Sequence, residues 1–260
     1  ANELKKQFAQ YDIPLTEENI TAVKEAWNTL EGLGDFTEGS QKYMIENELS
    51  PTVENLYTAS FSATEDASRQ GKGYYAAGSV AGYYAKKPES IDYEQLMPQI
   101  EKVIQESGYS VNEETVTNAK WLIEKGIPLN QETFFRKQQM EDVVFPKSPE
   151  AFAKAAAIAI ADGKKPLAAD ITKDRSNLEI AISVKEQVEQ VSDEAADIIK
   201  ANHLPFTLKN LFAAYEEWRS EESHPVRESD ESGRNLLAQV RASMTISSNL
   251  RLIRSGFAIE

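Results

Sequence analysis

Two histidines, His203 and His224, are the only imidazoles in the 260 residues, and cysteine is absent. General acid–base work, nucleophile activation and zinc ligation lean heavily on these two residue types. His203 stands in Asn202-His-Leu-Pro and His224 in a run of acids, neither with a second histidine at ligand spacing. Carboxylates are plentiful instead, with pairs at Glu17/Glu18, Glu113/Glu114, Glu216/Glu217 and Glu221/Glu222. Acid–base catalysis needs two carboxylates that converge from different elements, in surroundings that push their pKa values apart. The first two pairs follow helix-capping residues, where the helix dipole already explains acids, and the other two fall at a polar helix end. The stretch GKGYYAAGSVAGYY (residues 71–84) is glycine-rich, but Gly71-Lys72-Gly73 leads into Tyr74-Tyr75-Ala76, so neither nucleotide-binding fingerprint is present. Its four tyrosines fit a close-packed helix or a flexible arm, with a partner or carbohydrate surface as the functional reading. No serine nucleophile elbow occurs. The glycosylation sequon Asn19-Ile20-Thr21 falls on a predicted helix and is discounted. The predicted catalytic, cofactor-binding and metal-binding sets are therefore empty.

Composition narrows the class further. With 41% apolar residues and 3 Trp, 10 Tyr and 10 Phe, the chain can build a substantial core. The formal net charge of −14 repels phosphate backbones, which argues against nucleic-acid partners. No apolar run reaches the ~20 residues needed to cross a bilayer. The first residues, ANELKKQFAQYDIP, lack the apolar core of a signal peptide. A cytoplasmic protein is expected, or one exported without a signal. The chain opens inside a pattern and stops abruptly, as a fragment of a longer protein would.

What must position these residues is a recurring joint: an apolar helix end, a short link, then a capping residue and a new helix. It reads FAQYDIPLTEENI (residues 8–20), MIENELSPTVENL (44–56), VIQESGYSVNEETV (103–116), LIEKGIPLNQETF (122–134) and IIKANHLPFTLKNL (198–211). LIRSGFAIE (252–260) looks like a sixth copy, cut off at its cap. Thr16, Thr52, Asn112, Asn130 and Thr207 are the predicted N-caps, each offering a side-chain oxygen to orphan N–H groups of the first turn. Asn or Thr stands three residues later (Asn19, Asn55, Thr115, Thr133, Asn210), where a capping box prefers Glu or Gln. Pro14, Pro128 and Pro205 stop the preceding helix, and Gly108, Gly126 and Gly256 stand where a left-handed C-cap is wanted. The spacing between caps is irregular, so the chain repeats a joint and not a module.

Helices are predicted after each cap from i, i+3, i+4 apolar spacing, and also over residues 39–47, from Asp92 with Asp92/Gln95 as a capping box, and over an alanine-rich run after Ser148. Pro98 is expected to kink its helix or delay its start. Residues 177–191 and 192–202 read as a helix pair, and residues 234–255 as one long last helix. Strand alternation is weak everywhere. Residues 58–73 read as a long mobile loop, and residues 220–233 as a charged linker. The expected layout is an N-terminal helical part (1–57), a flexible Gly/Tyr/Ser-rich insertion (58–90), a main helical body (91–219), an acidic linker (220–233) and a C-terminal helix entering a truncated repeat (234–260). The predicted fold class is all-α, an irregular multi-helical array of short helices linked by capped Pro/Gly joints. Trp121 is expected in the core.

Together the segments DYEQLMPQIEKVI (92–104), NAKWLIEKGIPLNQETF (118–134), AIAIADGKKP (157–166), LPFTLKNLFAA (204–214) and NLRLIRSGFAIE (249–260) carry a resemblance. They resemble an uncharacterised family of large, repeat-bearing helical bacterial proteins, a domain of unknown function found mainly in anaerobic Firmicutes. That resemblance implies no catalytic residues and no cofactor. It implies a structural or secretion-linked role, near flagellar or export machinery. The expected function is thus a non-enzymatic scaffold or interaction protein with protein partners. The rival from another class is a hydrolase or ligand-binding protein whose carboxylates meet in a cleft between lobes.

Overall fold

A computed structural model describes residues 1–69, 91–143, 148–221, 223 and 231–256. Among these the chain is all-α, with no strand beyond one isolated bridge. It divides into two compact units, residues 1–174 and 175–260. The first holds α1 (Asn2–Gln10), α2 (Glu17–Glu31), α3 (Glu38–Glu46), α4 (Val53–Arg69), α5 (Tyr93–Glu106), α6 (Glu113–Glu124), α7 (Gln131–Glu141), α8 (Pro149–Ala161) and a 3-10 turn (Pro166–Ala168). The second holds α9 (Asn177–Gln190), α10 (Asp193–Ala201), α11 (Leu208–Ser220), α12 (Glu231–Ser243) and α13 (Ile246–Arg254).

One apolar cluster fills the first unit, drawing Phe8, Leu30, Met44, Ile104, Leu122 and Phe134 from six different helices. The alanine-rich α8 presents small residues, Ala156 and Ala157, both fully buried, which let α1 pack closely on it. Trp27 meets Phe152 with ring centroids 5.4 Å apart, and Tyr109 meets Phe134 edge-on at 5.6 Å. A backbone clip closes this unit over a long chain separation. Thr52 and Asp170 form an antiparallel bridge, Val53 N–H donates to Ala169 O, and Ile171 N–H donates to Pro51 O, both at 3.1 Å. The second unit has its own cores, one of Ile198, Ile199, Leu211 and Leu237, another around Val184 and Val188. Arg234 on α12 bonds the buried Asp197 of α10 at 2.8 Å, and Arg241 bonds Asp193 at 3.0 Å.

The joints are built alike. In the five joints one residue after the first helix takes a left-handed conformation: Asp12 (φ 53°), Glu48 (φ 54°), Gly108, Gly126 (φ 74°) or His203 (φ 53°). The next residue turns its N–H back to the helix: Ile13 to Phe8 O, Leu49 to Met44 O, Tyr109 to Ile104 O, Ile127 to Leu122 O, Leu204 to Ile199 O. This is the six-to-one bond of a Schellman cap. The following N-cap then accepts from the residue three on, as at Thr16 from Asn19 N–H and at Asn130 from Thr133 N–H. The residue three on also ties backward. Asn19 and Asn210 donate their side-chain amides to Pro14 O and Pro205 O, at 3.0 and 2.8 Å, and Asn55 to Ser50 O at 2.9 Å. Where the cap is Asn, threonine does this job: Thr115 donates to Ser110 O and Thr133 to Pro128 O, at 2.9 and 2.6 Å.

Several expectations need correcting. Residues 58–69 are not a loop but continue α4, on which Leu56 and Ala59 face the core, while Thr58 and Ser60 satisfy their hydroxyls on the helix carbonyls of Glu54 and Tyr57. Residues 70–73 lie outside the described residues. The single last helix is two helices. Its apolar stripe runs on across a break at Thr245, which caps α13 by accepting from Ser248 N–H. Asp92 caps α5 as expected, accepting from Glu94 and Gln95 N–H, without the reciprocal half of the box. Pro98 lies within α5 and does not delay its start. Of the stretch 220–233, Ser220 belongs to α11 and Glu231, Ser232 and Gly233 to α12, while 222 and 224–230 lie outside the described residues. The boundary between units, at 174/175, falls inside the stretch expected to be one main body.

Candidate functional site

His203 is a turn residue. It is exposed, holds the left-handed position between α10 and α11, and donates its N–H to Lys200 O. Asn19 of the sequon has its amide engaged with Pro14 O on a helical turn. Glu17, Glu18, Glu113 and Glu114 occupy first turns, as the dipole argument expects. Glu216 pairs with Arg219 at 3.6 Å on the surface of α11. His224, Glu222 and residues 71–84 lie outside the described residues. Two carboxylates outside these pairs are buried with a base opposite. Asp162 meets Lys173 at 2.7 Å in the first unit, and Asp197 meets Arg234 in the second. Among the described residues no group of three His, Asp or Glu is placed to hold a metal ion, and no helix is long and apolar enough to cross a membrane.

The feature with recognition chemistry is a groove of about 920 Å³ in the first unit, between the loop after α2 and the outer side of α4. Leu33, Asp35, Tyr57 and Phe61 line it, with Gly32, Gly34 and Gly39 leaving its floor low. Tyr57 and Phe61 stand one turn apart on α4, their ring centroids 4.7 Å from each other, and are 47% and 59% exposed. Two such rings left in water on one helix face are costly unless something covers them. Thr37 and Ser40 hydroxyls satisfy each other at 3.1 Å, and among the described residues Asp35 is the one charged group in the lining.

One wall of this groove is fixed from behind. Glu38, beside Thr37, accepts from Lys125 Nζ at 2.7 Å and from Trp121 Nε1 at 3.2 Å. These bonds, that from Lys125 foremost, hold the Glu38 carboxyl below its ordinary value. Lys137, almost wholly buried, lies over the Trp121 ring at 4.5 Å and donates to Gln41 Oε1 at 2.9 Å and to Glu141. Trp121 is therefore not simply a core residue. It is half-buried, one part packed on the core and the rest held between Glu38 and the two lysines. The node ties α6 and α7 to the start of α3.

Sequence reasoning passed over Tyr57 and Phe61, although a signal was there. Val53, Leu56 and Ala59 mark the buried stripe of α4, and the two rings fall outside it at i, i+4 spacing. Neither a curated protein nor a solved structure matches the chain. Residues 1–181, which cover the first unit and the opening of α9, match a family of unknown function (DUF6240), and the chain belongs to that family.

Proposed function

We propose that the chain is a non-enzymatic interaction protein, its first unit a rigid helical body that presents the α2–α4 groove to a protein partner. The observation that carries this reading is the exposed Tyr57–Phe61 pair on an open groove backed by the Glu38–Trp121–Lys137 node. Aromatic residues are the side chains that most often dominate a protein interface, and a fixed backing lowers the entropy lost on binding. The repeated joints support it too, because each ties a helix end to the next helix start with several short-range bonds. Both buried carboxylates face a base and lie on different units, which favours structural roles for them over acid–base work.

A photo-crosslinking amino acid placed at Tyr57 in the native cell tests this, with the same group at exposed Glu101 as control. Discrete protein adducts are expected from position 57 and not from 101. Equal background at both positions sinks the reading.

A further inference from the structure

Resting on the interaction reading, we infer that the groove's occupant is a cationic amphipathic helix of a partner protein. The lining supplies the apolar half of the requirement: Leu33, Tyr57 and Phe61 can take leucine- or phenylalanine-sized anchors at i, i+3, i+4 spacing. At about 920 Å³ the groove lies within the range of sites that enclose a sizeable ligand, so more than one anchor fits. Among the described residues no sheet edge is offered for strand addition, which leaves a helix as the secondary structure that satisfies its own backbone while lying there.

Charge supplies the other half. Between residues 31 and 63 there are six acids and one base, Lys42. Lys42 is already opposite Glu46, and Glu38 is opposite Lys125. Asp35 in the lining, Glu31 just before it and Glu54 on the same side of α4 as Tyr57 are exposed, and among the described residues none forms an ion pair. A partner bringing Lys or Arg beside its apolar anchors would meet these three carboxylates, whereas an acidic partner would be repelled. The net charge of −14 extends the same preference to long range and makes association salt-dependent.

Titration of the whole chain with three synthetic 14-residue peptides tests this: Leu/Lys with an amphipathic period, Leu/Glu with the same period, and Ser/Lys. Fluorescence anisotropy should show binding of the Leu/Lys peptide only, weakening as salt is raised. The double variant Y57S/F61S, which alters exposed residues, should weaken it about tenfold or more, and D35K about threefold. Unchanged affinity in both variants, or equal binding of Ser/Lys, overturns the inference. So does a groove-dependent dimer of the chain itself by sedimentation, or Leu/Lys binding that appears only when residues 71–89 are deleted. The crosslinked partner at position 57 separates the two readings. Adducts with a segment that lacks bases leave the interaction reading standing and remove the cationic helix, whereas no adducts at all remove both.

Discussion

Asn19 and Thr133 differ in type yet perform one task, donating to the carbonyl two residues ahead of the N-cap while their own N–H groups bond the cap side chain. In the five joints Thr caps (Thr16, Thr52, Thr207) go with Asn three residues on, and Asn caps (Asn112, Asn130) go with Thr. A Glu or Gln there could reach the cap N–H but would forgo the backward tie, which explains the departure from the usual capping box. Asn130→Ala should therefore lower stability by about 1 kcal/mol. The exchanged pair N130T/T133N should recover most of what either single change loses, read as urea midpoints of the four proteins. Failure of the double variant to recover would mean that the two residues act separately. The left-handed positions give a second test. Glu48 holds φ 54° without being glycine, so Glu48→Gly should raise stability by about 1 kcal/mol, as thermal melts would show. These joints were legible in the sequence because every bond in them spans five residues or fewer. His203 was half legible: its place in a joint could be read, its left-handed backbone could not.

Between elements, the bonds that matter span tens of residues, and there the sequence says less. Tyr93 on α5 donates its hydroxyl to Glu124 of α6 at 2.9 Å. Burial first, then that bond, pushes its pKa up to about 12 from an ordinary 10.0. A raised value means that the folded chain holds the phenolic proton more tightly. The stability it contributes is complete below pH 10 and is lost as pH rises from 10 towards 12. Wild type should thus exceed Y93F in urea midpoint at pH 9, with the gap closing by pH 11.5, and a gap independent of pH would refute the linkage. The groove was illegible for a related reason. Tyr57 and Phe61 are visible as a pair, but only packing of the α2–α3 loop beside α4 makes them two sides of one depression. The break at Thr245 was missed because its apolar stripe continues through it, while the Thr–Ser cap carries a weaker signal than Thr–Asn.

For the whole chain, the first unit's large core and both cores of the second are each drawn from one unit alone, although the expected boundaries did not fall there. Composition and joint pattern give the all-α class, but which helices share a core depends on contacts far apart in sequence. A fragment of residues 1–174 should fold cooperatively by itself, with a helical circular-dichroism spectrum and a sharp melt. A broad, non-cooperative melt would show that its core depends on the rest of the chain.

The clip between Thr52 and Asp170 sets a timetable for synthesis. Its two halves are 118 residues apart, so a ribosome adding about 5–20 residues per second needs roughly 6–24 s after making the first before it supplies the second. Through that interval α4 lacks the backbone that will hold its first turn, and α1 waits still longer to be covered, since α8 also comes late. Phe8 on α1 stays uncovered for as long, which makes the nascent first unit a natural client for chaperones.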